Sequence, residues 1–106
     1  MKPLPTKFTR LGFDFTQIER CGQVALFEKR KPGHSTSCFE AVVIEVRPEA
    51  EVFGRKVEER EVMPPDEAWG KLGFTYIDRQ QAKNGFESLV QRAANGLFTS
   101  EQASNV

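Results

Sequence analysis

The segment from residue 64 to 78 constrains the fold of this chain more than any other. It reads PPDEAWGKLGFTYID and contains two prolines, two glycines, the only tryptophan and the only tyrosine. Prolines interrupt strands and glycines permit tight turns, so the backbone must change direction here. Large aromatic side chains also need a core in which to be buried. The segment therefore predicts the junction between a strand-rich first part and the element that follows it.

That following element is predicted to be an amphipathic helix over residues 79–94. Asp78 can cap its N-terminus with Gln81 three residues later, and 95–96 (Asn-Gly) is a C-terminal stop signal. Gly85 inside the helix indicates close backbone packing, because glycine otherwise costs about 1 kcal/mol there. The apolar residues at helical spacing are Ala82, Phe86, Leu89, Val90 and Ala93.

The residues before the junction favour strands. Alternation begins at Phe13, and a turn is predicted at Cys21-Gly22. Residues 38–46 form the strongest strand pattern and are apolar on both faces, which is typical of a strand covered on both sides. Residues 55–63 alternate poorly and are highly charged, which indicates a protected edge strand.

Together these patterns predict an α+β fold: a mostly antiparallel sheet of four or five strands with one C-terminal helix on one face. A hairpin around His34 would place Cys38 opposite Arg30 and Cys21 opposite Arg47. The helix is expected to pack against Phe27, Val43, Ile44, Trp69 and Phe74.

The length of 106 residues suits a single domain. We expect residues 1–12 to be an N-terminal arm, 13–98 the α+β domain and 99–106 a flexible tail. The sequence contains neither an apolar run long enough to span a bilayer nor a secretory leader, so we expect a cytoplasmic protein without membrane association.

The sequence does not predict a catalytic, cofactor or metal site. Two cysteines and one histidine are too few ligands for a zinc site, and Cys21 and Cys38 are expected to be free thiols. His34 and Cys38 flank one loop, but no residue is placed to orient the imidazole for catalysis. The carboxylates of 58–61 stand beside basic residues, as on a solvated surface. The chain is therefore expected not to be an enzyme.

A non-enzymatic protein-binding accessory factor is the favoured function. The charged segment and the aromatic junction supply the expected contact residues, and aromatic side chains are common anchors in protein interfaces. These residues are Arg55, Lys56, Glu58, Arg60, Trp69 and Tyr76. Homodimerisation through an uncovered face of the sheet is a variant of the same hypothesis.

Single-stranded nucleic-acid binding is the alternative function. Basic side chains beside aromatic residues on a sheet are typical of such proteins. The candidate residues are Phe13, Phe15, Phe27, Lys29, Arg30 and Lys31. The formal net charge of +0 counts against this alternative, because phosphate binding usually requires a basic excess.

Residues 63–86 resemble a segment of small uncharacterised bacteriophage and mobile-element proteins. In that pattern a proline and an acidic residue precede Trp-Gly, followed by a Gly-aromatic-Thr-aromatic strand and a short helix. The matching positions are Trp69, Gly70, Gly73, Phe74 and Tyr76. The resemblance implies a phage or mobile-element origin, and it implies no activity. For the accessory factor proposed above, a host protein is the expected partner.

Overall fold

The computed structural model describes residues 1–96 and contains nine strands, a short 3-10 helix and one α-helix. The predicted tail, 99–106, lies outside the described residues. The elements in chain order are β1 (Lys7–Arg10), β2 (Phe13–Cys21), β3 (Val24–Arg30), β4 (Ser37–Val43), β5 (Glu45–Arg47), β6 (Ala50–Val52), β7 (Arg55–Val57), β8 (Arg60–Val62), the 3-10 helix (Asp66–Ala68), β9 (Gly73–Tyr76) and α1 (Arg79–Ala94).

Five of the strands form an antiparallel sheet in the order β1-β2-β3-β4-β9. With α1 packed on it, this sheet confirms the predicted α+β class. The predicted register was wrong: Cys38 pairs with Lys29 instead of Arg30, and Cys21 pairs with Val24 across the Gly22 turn instead of with Arg47. The loop after β3 spans residues 31–36 and is one residue shorter than the predicted hairpin requires, and loop length sets hairpin register.

The helix begins and ends where the sequence predicted. The Asp78 carboxylate accepts a hydrogen bond from the backbone N–H of Gln81 at 3.0 Å, which satisfies one of the helix's unpaired N-terminal donors. Gly85 is also explained, because an ideal Cβ at this position would overlap the phenol of Tyr76 on β9. The helix therefore rests on the sheet through a residue without a side chain.

The sheet has a separate apolar cluster on each face. The helix face buries Val24, Leu26, Phe39, Ala41, Val43, Ala82, Phe86 and Leu89. The opposite face buries Phe15, Ala25, Phe27, Val42, Ile44 and Met63, with Trp69 packed against them. Packing of the helix against Phe27, Ile44 and Trp69 was therefore a wrong prediction. Neighbouring residues of a strand point to opposite faces of the sheet. An error in assigning which residues face the helix therefore places a side chain on the wrong face.

The N-terminal residues cover part of the face opposite the helix. Lys2 lies parallel to β8: its N–H donates to the Glu59 carbonyl, and its carbonyl accepts from the Glu61 N–H, both at 2.9 Å. Leu4 packs on the second cluster, and β1 is an edge strand of the sheet. Residues 1–12, expected to be an arm, are thus hydrogen-bonded into the domain.

A partly buried ion pair anchors this layer to the sheet. Arg20 on β2 donates to both carboxylate oxygens of Glu61, at 2.9 and 2.6 Å, and the Leu4 N–H donates to Glu61 Oε1 at 3.0 Å. These hydrogen bonds, the one from Arg20 foremost, hold the pKa of Glu61 below its ordinary value although burial opposes them.

The charged segment does not form an edge of the main sheet, which corrects the prediction for 55–63. The chain leaves the sheet after Val43, so the predicted strand 38–46 is divided. β5 pairs with β8, and β6 pairs with β7. Residues 45–62 thus form a two-stranded projection, called the ribbon below.

Candidate functional sites

The end of the ribbon presents a fully exposed aromatic ring. Val52 pairs with Arg55, and the two residues between them, Phe53 and Gly54, have φ values of 51° and 77°. Two positive φ values in a two-residue loop define a type I′ turn, whose first position favours Asn, Asp or Gly. Phe53 occupies that position and is 101% exposed. The positive φ strains the backbone at Phe53, and the ring is not buried against any of the described residues 1–96.

The rest of the ribbon carries acidic and basic side chains. The ribbon carries six acids and four bases, a formal net charge of −2. Lys56 pairs with Glu49 at 3.0 Å, and Arg47 pairs with Glu45 at 3.5 Å. The ribbon therefore offers an apolar tip on a charged stem that is acidic overall.

The structure separates the six residues predicted to contact a partner. Arg55, Lys56, Glu58 and Arg60 lie on or beside the ribbon strands. Trp69 is half-buried against the sheet face opposite the helix, whereas Tyr76 packs on the helix face. The two aromatic residues therefore lie on opposite sides of the sheet and share no surface with each other.

A second candidate site is a cavity of about 330 Å³ on the sheet face opposite the helix. Strands β2, β3, β4 and β9 supply its floor, and the β1–β2 turn and the 3-10 helix region supply its walls. The lining residues are Arg10, Leu11, Phe13, Phe15, Lys29, Glu40, Thr75 and Trp69. Three of them are aromatic and three are charged.

Glu40 is the central polar group of this cavity, and it is 2% exposed. Its Oε1 accepts hydrogen bonds from Lys29 Nζ at 3.0 Å and from the Thr75 hydroxyl at 3.4 Å. The Trp69 indole N–H donates to the same hydroxyl at 3.1 Å. Glu40 Oε2 is buried and has no partner. A buried acceptor without a donor costs about 1–3 kcal/mol, so this oxygen requires an explanation.

Cations lie against the aromatic rings of the same cavity. Lys29 Nζ is 4.4 Å from the Phe13 ring centre and 5.7 Å from that of Phe15. The Arg10 guanidinium is 5.8 Å from the Trp69 ring and donates to the Pro64 carbonyl at 3.4 Å. These contacts fix the long basic side chains in position.

The predicted nucleic-acid residues are only partly brought together. Phe13, Phe15 and Lys29 share the cavity, while Arg30 and Lys31 are exposed beyond it. Phe27 is 0% exposed and belongs to the core, so it offers no ring on which a base can stack. The prediction that Phe27 contributes to nucleic-acid binding was therefore wrong.

Sequence reasoning missed Glu40, Phe53 and Thr75. For Glu40 a signal existed, since it is the one charged residue between Cys38 and Ile44 in an otherwise apolar strand. Phe53 precedes Gly54, a pairing that suggests a turn, but nothing in the sequence shows that its ring faces solvent.

Cys21 is exposed, Cys38 is partly buried, and both are free thiols. Burial raises the pKa of the Cys38 thiol despite the nearby Lys29 ammonium, which disfavours a thiolate nucleophile. Within residues 1–96 no three His, Cys, Asp or Glu side chains are grouped to hold a metal ion. In the same part of the chain, no helix is long and apolar enough to cross a membrane.

Comparisons with protein families, with curated proteins and with solved structures found no match to this chain. The ribbon tip and the cavity are therefore the features that bear on function.

Proposed function

We propose that this protein is a non-enzymatic protein-binding factor that inserts Phe53 into an apolar pocket of its partner. The full exposure of Phe53 at a strained turn position supports the proposal most directly. A residue that neither stabilises its own turn nor packs against the part of the chain that the structure describes is explained by a contact made elsewhere. Aromatic anchors filling a partner's pocket dominate the energetics of many protein interfaces.

The charges of the ribbon favour a protein partner over a nucleic acid. Phosphate binding is driven by neutralisation with Lys and Arg and by release of counterions. The ribbon's net charge of −2 would oppose it. Mixed charges around an apolar centre match the polar rim of a protein interface.

The partner's expected surface follows from the same features. It needs an apolar pocket large enough for one phenyl ring, bordered by side chains that complement Arg55, Lys56 and Glu58. The resemblance of residues 63–86 to bacteriophage and mobile-element proteins makes a bacterial host protein the first class to test.

The test compares affinity capture from bacterial lysate by the wild-type chain and by two variants, with and without nuclease. Phe53→Asn removes the ring and places a residue that accepts a positive φ, so the fold should be retained or slightly stabilised. Ile77→Asn is the matched control, because Ile77 is 88% exposed but lies between β9 and α1, outside the ribbon.

A protein captured by wild type and Ile77→Asn, lost with Phe53→Asn and indifferent to nuclease supports the proposal. The interaction must then be reproduced with the purified partner. Equal capture by all three chains contradicts a role for Phe53. Concentration-dependent sedimentation abolished by Phe53→Asn, with no foreign protein captured, would identify a second copy of this chain as the partner instead.

A further inference from the structure

An apolar pocket of about 390 Å³ lies where the last turn of α1 meets the end of β4. Val90 and Ala93 of the helix and Val43 of the strand line it, together with Ile44 just beyond the strand. Cys21, at the end of β2, is an exposed lining residue. This pocket, called the helix-end pocket below, has no charged side chain among its described lining residues. It therefore suits an uncharged, apolar occupant.

The helix-end pocket lies at the edge of the helix-face cluster. Val43 is 6% exposed and belongs to that cluster, whereas Val90 and Ala93 are only partly buried against it. Phe86 and Leu89, one turn earlier on the same helix, are 4% and 2% exposed. Burial by residues 1–96 thus decreases toward the C-terminal end of α1, which leaves apolar surface available to a further segment.

The end of α1 has the geometry that commonly brings the next residue back against the helix. The Asn95 N–H donates to the Gln91 carbonyl at 3.1 Å, and the Gly96 N–H donates to the Ala93 carbonyl at 3.0 Å. Gly96 has a φ of 78°, which is the left-handed conformation that ends many helices. In such helix ends the residue after the glycine frequently makes an apolar contact with the last turns of its own helix. The residue in that position is Leu97.

The sequence places two large apolar residues immediately after this helix end. Leu97 and Phe98 follow Gly96 and are succeeded by the polar residues 99–102. Consecutive Cα atoms are about 3.8 Å apart, so the Cα atom of residue 98 lies within about 8 Å of that of Gly96. Ala93, whose carbonyl accepts from Gly96, itself lines the pocket. Covalent attachment at this range gives the pair an effective concentration on the order of millimolar, which favours it over a separate chain.

We propose that Leu97 and Phe98 dock in the helix-end pocket and complete the helix-face cluster. The occupant is thus a segment of this chain, and the pocket is not the surface on which a partner binds. Docking shields the apolar surface of Val43 and Val90 from water and from other chains, and it holds the last turn of α1 on the sheet. This inference is independent of the role proposed for Phe53 at the ribbon tip.

Solution NMR of the full chain tests the docking directly. Nuclear Overhauser effects are expected between the Phe98 ring protons and the methyl groups of Val43 and Val90. Phe98→Leu keeps an apolar side chain but removes the ring current, so the shifts that the ring causes at these methyl groups should be lost. Isotope-filtered spectra of a mixture of labelled and unlabelled chains separate contacts within one copy from contacts between copies.

Hydrogen exchange measures the effect of docking on the end of the helix. In Leu97→Ser/Phe98→Ser the amide protons of Asn95 and Gly96 should exchange about tenfold faster or more, because the last turn loses its apolar cover. The matched control is Ala103→Ser/Val106→Ser, which removes apolar groups farther along the same tail and should leave these exchange rates unchanged. Circular dichroism establishes that each variant is folded.

Three results would overturn the proposal: no contact between Phe98 and the pocket in the folded wild-type chain, contacts only between copies, or unchanged exchange at Asn95 and Gly96 in the folded double variant. Contacts only between copies would identify a second chain as the occupant. The wild-type contacts and the Phe98→Leu shifts decide the question if the double variant does not fold. Each of these results leaves the role of Phe53 untouched, since the ribbon tip contributes no residue to the pocket.

Discussion

Replacing Gly85 with alanine tests the packing of the helix on the sheet. In an unobstructed helix interior this change stabilises by about 1 kcal/mol. Here an ideal Cβ would lie 2.8 Å from Tyr76 Cε2 and closer still to Tyr76 Cζ and the phenol oxygen. Relieving such an overlap costs about 1–3 kcal/mol. The net effect should be a loss of up to about 2 kcal/mol, opposite in sign to the helix-propensity gain.

A double-mutant cycle isolates the cause. Tyr76→Val removes the ring from β9 and keeps a good strand former, so Gly85→Ala in that background should stabilise by about 1 kcal/mol. Ser88→Ala, on the exposed side of the same helix, is the control and should stabilise by a few tenths of a kcal/mol in both backgrounds. Free energies of unfolding come from urea denaturation followed by circular dichroism. Stabilisation by Gly85→Ala in the wild-type background would refute the close approach of helix and strand.

Two further predictions concern the two faces of the sheet. Phe86→Ala should destabilise the protein by about 3–5 kcal/mol in the same denaturation assay, because Phe86 is 4% exposed within the helix-face cluster. An unchanged denaturation midpoint would contradict the packing of α1 in the core. Glu61 has a lowered pKa in the folded state, so its contribution is present above its ordinary value of 4.5 and is lost as pH falls through the folded pKa. Glu61→Gln should therefore flatten the acid limb of the melting temperature against pH, and an unaltered acid limb would contradict this assignment.

The sequence predicted the helix closely because its signals are local. Asp78 and Gln81 define the start, the apolar residues repeat within one element, and 95–96 defines the end. The sheet was harder to predict, because pairing register depends on loop length and on which parity faces the helix. Phe27 and Trp69 were assigned to the wrong face for that reason. The end of β4 at Val43, which divides the predicted strand 38–46, was not predicted either. Val43 and Ile44 are both apolar and β-branched, so the sequence contains no signal for a break between them.

The candidate sites depended still more on tertiary structure. The cavity combines Phe13, Lys29, Glu40 and Trp69 from four separate parts of the chain, and only Phe13 and Lys29 had been grouped beforehand. The ribbon's charge was visible in the sequence as a guarded strand. Its detachment from the main sheet, which puts Phe53 in solvent, was not.

The two-sided sheet has a consequence for synthesis of the protein on the ribosome. The cluster containing Phe15, Phe27 and Met63 has all its buried residues once residue 63 has left the ribosome. The cluster containing Val24 and Leu26 is complete only after α1 has been synthesised. The nascent chain therefore displays an uncovered apolar sheet face until the last helix arrives. Premature termination anywhere before Leu89 would leave that face permanently open, and the truncated product should be a substrate for chaperones and proteases.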